Sequence, residues 1–407
     1  MTEFRFHVPR HWGEKIILVL LFFLFTLFFS NDFGLIDIQK TAIILAAGID
    51  RTEEGAFSVT AQIAVPQASK SGSAAQSAAV NGTGETLAQA FNEISIKTGW
   101  FPKLIFCDLI VLGESVTDGN VFDCLGYFLR NEQMSDNCLL AACEGSAEAV
   151  LNAAAPTENM IALALQKILA TEAKASGNVS AVNLKDFAAD YYAEHKSGYM
   201  PYVRLTAEEG GESGGGTEGG SRAAAAAHDG GKNAGGKSGG QTFDASRTAV
   251  FYDGRQAGIL DKEETFALNL AVGSVRQATL EVPFGDAAYA LSLTDVSSKI
   301  DLDVDNNIPR LSVRLKAVAR MSDAAAPEPI GKIAATNTIP PEVLRQAERI
   351  LENDLSSLFE KCRAAHCDIF GAVDRLRKYE TRFHAAYKDV LLDRAVPSFS
   401  AEIKDSD

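Results

Sequence analysis

Six histidines and six cysteines are the side chains best suited to nucleophilic or metal chemistry in this 407-residue chain, and their spacing limits what they can do. His7 and His11 precede an apolar N-terminal run and His228 falls among glycines, which leaves His195, His366 and His384 in sequence able to fold. A Ser-His-Asp triad or a catalytic zinc site needs several such groups brought together with an orienting carboxylate, so this is thin material. The strongest metal-ligating pair is Cys362 and His366, four apart on one helix face with Cys367 beside them, but no second pair with ligand spacing accompanies it. Gly113-Glu114-Ser115 lacks the following glycine of a nucleophile elbow, and Gly82-Thr83-Gly84 lacks the third glycine of a dinucleotide loop. Carboxylates are plentiful, yet no spacing pairs two of them for glycoside hydrolysis. The expectation is a protein with no catalytic residue, no metal and no cofactor, and therefore not an enzyme.

The elements that would position these groups are easier to read. Leu104 to Leu112 is a nearly continuous apolar run, the pattern of a strand buried on both faces. Phe122, Leu125, Phe128 and Leu129 recur at helical spacing, Cys138 to Cys143 is a second apolar run, and Ser146 marks the start of another helix. Strand, helix, strand, helix makes an α/β unit over about 80–155. It is flanked by two alternating strands within Ile43 to Val65, by a Ser, Ala and Gly-rich stretch from Lys70 to Gly84 read as a loop, and by a returning strand at Tyr199 to Leu205. Residues 207–246 hold 13 glycines between Gly210 and Gly240 and cannot bury enough apolar area to offset ordering entropy, so they read as a flexible linker. Beyond it, Asp253-Gly254 is a hairpin turn, and Ala278 to Val282, Ala290 to Thr294, Leu311 to Val318 and Phe399 to Ile403 are candidate strands. The stripe from Val343 to Cys362, begun by Pro340-Pro341, is a long helix. The fold class expected is α+β: an anchor in 1–36, mixed α/β subdomains in 37–206, and a C-terminal antiparallel sheet backed by helices in 247–407.

The formal net charge of −15 argues against a nucleic-acid partner, which requires a basic surface. Ile16 to Phe29 contains 13 apolar residues and one threonine, preceded by Arg5, Arg10 and Lys15 and followed by Asp32 and Asp37. That bias places the N-terminus in the cytoplasm and the body outside. No Ala-x-Ala-like cleavage site follows, so the segment reads as an uncleaved anchor, the alternative being a cleaved signal peptide, whose apolar core a 14-residue run also suits. Cys107, Cys124, Cys138 and Cys143 lie within or beside apolar segments and read mostly as buried thiols, with Cys107 to Cys138 or Cys143 the one pairing to test.

Several short segments, in order, resemble the Ger(x)C family, the C subunits of spore germinant receptors. These are Gly48-Ile49-Asp50, the strand from Thr60 to Pro66, Gly84-Glu85-Thr86, Gly113-Glu114, Leu129-Arg130-Asn131-Glu132, Gly145-Ser146-Ala147, the hairpin from Ala249 to Leu260, and Asp368-Ile369-Phe370-Gly371 followed by Arg377-Lys378. The chain departs from the family in having no cysteine before Cys107, so the usual lipid attachment does not carry over. The resemblance implies a tethered subunit on the outer face of the spore inner membrane that works by assembly and signal transmission. Its partners would be a polytopic A-type and a permease-like B-type subunit. Arg130 and Glu132 close an amphipathic helix and are the candidate subunit-interface residues, the alternative being a purely local role at the helix end. The other reading from the sequence is an extracytoplasmic module that itself holds a germinant or cell-wall fragment.

Overall fold

In a computed structural model, residues 10–30, 41–65, 76–153, 160–207, 241–325 and 338–406 are described. The chain divides into two units, 1–41 and 42–407. The first carries helix α1 (Arg10–Ser30), in which every side chain from Ile16 to Phe25 is more than half exposed. The hydroxyl of Thr26 donates to the carbonyls of Phe22 and Phe23 at 3.0 and 2.9 Å, so this polar group is satisfied inside the helix. No helix among the described residues is long and apolar enough to cross a membrane.

The second unit opens with β1 (Thr41–Arg51), β2 (Phe57–Val65) and β3 (Gln76–Gly84), then α2 (Leu87–Thr98), β4 (Phe101–Lys103), β5 (Leu109–Leu112), α3 (Glu114–Thr117) and α4 (Phe122–Leu129). It continues through β6 (Leu139–Cys143), α5 (Ala147–Asn152), α6 (Ile161–Lys167), a π-turn at Ile168–Glu172, α7 (Ala173–Ala175) and α8 (Leu184–Tyr192) to β7 (Ser197–Ala207), β8 (Gln241–Tyr252) and β9 (Arg255–Leu260). One sheet takes all nine strands, in the order β3-β2-β1-β5-β6-β7-β8-β9 with β4 paired to β1. Its centre, β1-β5-β6-β7, is parallel. Every residue of β5 is buried, as a strand covered by helices on both faces requires.

Three expectations are corrected here. The strand is not continuous from Leu104 to Leu112: a turn closed by Cys107 N–H to Leu104 C=O at 2.9 Å sends Leu104 and Cys107 inward and leaves Ile105 and Phe106 more than half exposed. Within the stretch read as a loop from Lys70 to Gly84, residues 76–84 are strand β3, paired with β2 along its whole length; 70–75 lie outside the described residues. Its small side chains, weak strand formers on their own, are needed because α2 lies directly on it. A Cβ on Gly82 would run into the Ala90 carbonyl and lie 2.8 Å from Ile94 Cγ1. Within 207–246, Ala207 and 241–246 are strand, and 208–240 lie outside the described residues.

The β8-β9 hairpin turns at Asp253-Gly254, both with positive φ (48° and 77°), as a two-residue primed turn requires. Then come α9 (Lys262–Ala271), β10 (Gln277–Phe284), β11 (Ala287–Asp305) and β12 (Ile308–Ala325). The chain closes with α10 (Pro341–Ala364), α11 (Ala372–Tyr379), α12 (Thr381–Tyr387), α13 (Leu391–Arg394) and β13 (Val396–Asp405). The second sheet, β10-β11-β12-β13, is mixed and not antiparallel: β13 runs parallel to β12 from Arg310↔Val396 to Ala319↔Asp405. A parallel partner needs a long crossover, and α10 to α13 supply it. The stripe Val343, Ala347, Leu351, Leu355, Leu358, Phe359 and Cys362 of α10 is buried in the core that also holds the inward residues of β10 to β12.

Candidate functional site

The motif residues at the start of the chain converge on one joint at the C-terminal ends of β1, β5 and β6. Asp50, near the end of β1 and only 8% exposed, accepts from the backbone N–H of Ala147 at 2.9 Å and of Glu148 at 3.0 Å. Ser146 accepts from Ala149 N–H at 3.1 Å, so the first three free N–H groups of α5 are all satisfied, two of them by a residue 97 or 98 positions away. Burial pushes the Asp50 carboxyl up from its ordinary range, and the two N–H donors oppose that shift. Gly113 and Gly48 are glycine for steric reasons. A Cβ on Gly113 would fall on Asp50 Oδ1, and one on Gly48 would sit 3.0 Å from Leu151 Cδ1 and 3.1 Å from the Ala147 Cβ. Glu114 completes the joint, its N–H donating to Gly145 C=O at 2.8 Å and its Oε2 accepting from Gly145 N–H at 3.2 Å. Arg51 N–H donates to Ser115 Oγ at 2.9 Å, and its guanidinium reaches Asp123 at 3.1 Å over the Phe57 ring. Farther along the sheet, Gly84 lies against the start of α2, where a Cβ would come 2.7 Å from Ala90 N.

Gln62 works in the same way and was not singled out from the sequence. Buried on β2, it accepts from Ala162 N–H at 2.6 Å, the first turn of α6. The available signal was an amide in the otherwise small or apolar run Val59 to Val65.

The Asp-Ile-Phe-Gly segment repeats the device near the other end. Asp368, 3% exposed, accepts from Ala372 N–H at 2.9 Å and Val373 N–H at 2.8 Å, capping α11, while Gly371 takes φ 63° to turn into it. Asp368 N–H donates to Ser197 Oγ at 2.8 Å and the Cys367 thiol donates to Phe251 C=O at 3.0 Å, so this cap is fastened to β7 and β8. Beside it a cavity of about 110 Å³ is lined by Glu194, His195, His366, Asp368 and Lys388 among others. His384 Nε2 lies 2.8 Å from Glu194 and His195 Nε2 3.8 Å from Asp374. The three histidines of folded sequence therefore gather in one region with carboxylates, but no group of three or more potential metal ligands forms among the described residues. Of the pair weighed from the sequence, the Cys362 thiol is buried in the core and His366 lines the cavity, while the neighbouring Cys367 thiol donates to a carbonyl.

A further polar seam joins α9 to α10. Glu264, 5% exposed, closes a capping box with Asp261 and accepts from Lys361 at 2.6 Å and Ser357 at 3.0 Å. Asp354 borders it, its pKa pushed up to about 6 by burial and then by Glu263, Asp261 and Glu264. A raised folded-state pKa means that the native chain takes up the proton first, so this group lowers stability as pH rises from about 4 to 6 and the loss persists above. Asp354→Asn should therefore stabilise the protein at pH 7 by about 1 kcal/mol, a value discounted for solvent screening. Thermal melts of both proteins should converge below about pH 4.

Leu129 and Arg130 end α4 on the surface, and Glu132 follows them there. Neither charged side chain makes an ion pair among the described residues; the Arg130 guanidinium instead folds back over Gly126. All six cysteines are buried and unbridged, the Cys107 thiol donating to Leu109 C=O at 3.5 Å and the Cys138 thiol to Leu139 C=O at 3.7 Å.

Two family models match the chain: spore germination protein N-terminal domain over residues 35–205, and spore germination B3/GerAC-like, C-terminal, over 246–392. Among curated proteins it is similar to spore germination protein B3 of Bacillus subtilis (strain 168), 21% identical over 336 residues, 80% of this chain and 79% of the relative. Among solved structures it shares its fold with the GerBC protein, with a TM-score of 0.51 at 15% identity over 89% of this chain and 97% of that one. The joints at Asp50 and Asp368 fall within the two matched segments, one in each. The chain is a member of the Ger(x)C family, the C subunits of germinant receptors in spore germination.

Proposed function

We propose that the protein is a membrane-tethered, non-enzymatic receptor subunit that acts by assembly with polytopic A-type and permease-like B-type subunits and by transmitting the germinant signal. The observation that carries this reading is what the motif residues do. Asp50, Gly113, Glu114, Asp368 and Gly371 spend their polar groups and their space on holding helix starts to strands, which builds a rigid body suited to assembly. The exposed apolar side chains of α1 and the charge bias of its flanks support a tether at the spore inner membrane with the body on the extracytoplasmic side. The two family segments, 35–205 and 246–392, support a reading of the chain as an N-terminal and a C-terminal module.

Arg130 and Glu132 are the subunit-interface residues in this reading, because they are exposed and charged at the end of a well-packed helix and make no ion pair among the described residues. The test is pull-down of tagged full-length protein from detergent-solubilised spore membranes, with mass spectrometry of what co-purifies. Recovery of two polytopic subunits is the expected result, and a reproducibly solitary protein, where a control complex survives, would refute it. The double variant Arg130→Glu, Glu132→Lys should keep stability within about 0.5 kcal/mol of the parent, as surface changes do, and lose most of the co-purification. Unchanged recovery would remove these two residues from the interface.

A further inference from the structure

The segment joining α2 to β5 carries an apolar surface that the fold does not use. Between residues 96 and 106, Ile96, Phe101, Ile105 and Phe106 are 74%, 64%, 54% and 53% exposed, and Trp100 is half-buried beside them. Chance exposure of single apolar residues is ordinary, but four large ones in one short segment with a tryptophan are a patch that marks an interaction surface. We infer that this loop inserts into the interfacial layer of the membrane that holds α1.

Three observations select lipid as the occupant. The first is chain connectivity. The loop's strand β4 pairs with β1, and Asp108 N–H donates to Leu45 C=O at 3.1 Å, so the patch lies at the end of β1 where the chain enters the body. Ten residues, 31–40, separate Ser30 of α1 from Thr41 of β1, a reach of at most ~35 Å when fully extended. For a helix held in a bilayer, that reach bounds how far this end of the body can stand from it. The second is composition: a tryptophan with phenylalanine and isoleucine is the set that settles at a headgroup boundary. The third is charge. Lys97 is already held by Glu93 at 2.9 Å and by the Asn81 carbonyl at 2.9 Å, and Asp108 lies at the rim, so the contact must come from apolar insertion. That suits a body of net charge −15, which anionic lipid does not attract broadly.

The inference rests on the membrane tether proposed above, and the experiment separates the two. The chain has two tryptophans, Trp12 and Trp100. Full-length protein with Trp12→Phe, leaving Trp100 as the reporter, is reconstituted into phosphatidylcholine and phosphatidylglycerol vesicles containing lipids brominated either near the headgroup or near the bilayer centre. The expected result is co-flotation with the vesicles and stronger quenching of Trp100 by the shallow bromines than by the deep ones. A Phe101→Ser, Ile105→Ser, Phe106→Ser variant should still float and lose the quenching. Flotation with Trp100 unquenched by either lipid overturns the loop insertion alone, and would point to a protein partner or to residues 31–40 as the cover. Failure to float overturns the tether and the insertion together.

Discussion

Gly113→Ala should destabilise the protein by about 3 kcal/mol, and most of that cost should disappear when Asp50 is already alanine. The added Cβ falls on the Asp50 carboxylate oxygen that accepts from Ala147 N–H, so it must break that bond or push β5 away from β1. Neither response is available cheaply, because β1 and β5 are hydrogen-bonded from Ala46↔Leu109 to Ile49↔Leu112 and Gly113 N–H itself donates to Ile49 C=O at 2.9 Å. Asp50→Ala alone leaves two N–H groups at the start of α5 without their acceptor, one of them wholly buried, for a comparable loss of about 3 kcal/mol. In the double variant the obstruction is gone, and only the approach of the new Cβ to Ala147 N at 3.1 Å remains. Urea or thermal unfolding of the four proteins closes the cycle, with a coupling of about 2 kcal/mol expected between positions 63 residues apart in sequence. Equal costs for Gly113→Ala in both backgrounds would mean that the two residues do not form one joint.

The positions in that cycle were readable from the sequence as members of an ordered set of motifs, but their work was not. Periodicity names a helix or a strand from its own residues, so α4 and α10 could be placed. A cap supplied from 97 residues away leaves no local pattern: Asp50 at the end of an apolar strand looks like an ordinary solvent-facing terminus until α5 is docked on it. The same holds for Gln62 and α6. Strand β3 was missed because Ser77, Ala78, Ala79, Gly82 and Gly84 are poor strand formers in isolation; their smallness serves the close approach of α2. The direction of β13 was missed because alternation along a strand is the same whether its neighbour runs with it or against it. The exposed loop at Ile105 and Phe106 was hidden inside an apolar run that seemed to need burial throughout. In physical terms, the sequence carried element identity, and the long-range polar contacts that join the elements had to be seen.

Asp368→Ala should cost about 3 kcal/mol, and the loss should be local before it is global. The carboxylate is 3% exposed and satisfies Ala372 N–H and Val373 N–H, and burial pushes its pKa up against those two donors and the nearby His195 and Arg375 charges. The helix it caps touches both sheets. Asp368 N–H reaches Ser197 on β7, while Arg375, one turn into α11, donates through Nε to the Ile300 carbonyl on β11 at 3.1 Å and through Nη1 to Phe370 at 2.6 Å. Removing the cap therefore frees the start of the element that ties the nine-stranded sheet to the four-stranded one. Hydrogen exchange should accelerate first in 369–394 and leave β1, β5 and β6 near their parental rates; Asp368→Asn, which keeps one acceptor, should fall between. Uniform acceleration over both sheets would mean that Asp368 is simply part of one cooperative core. Localised acceleration, with wild-type recovery of co-purifying subunits lost in the same variant, would tie the proposed assembly to the joint that α11 makes between the two sheets.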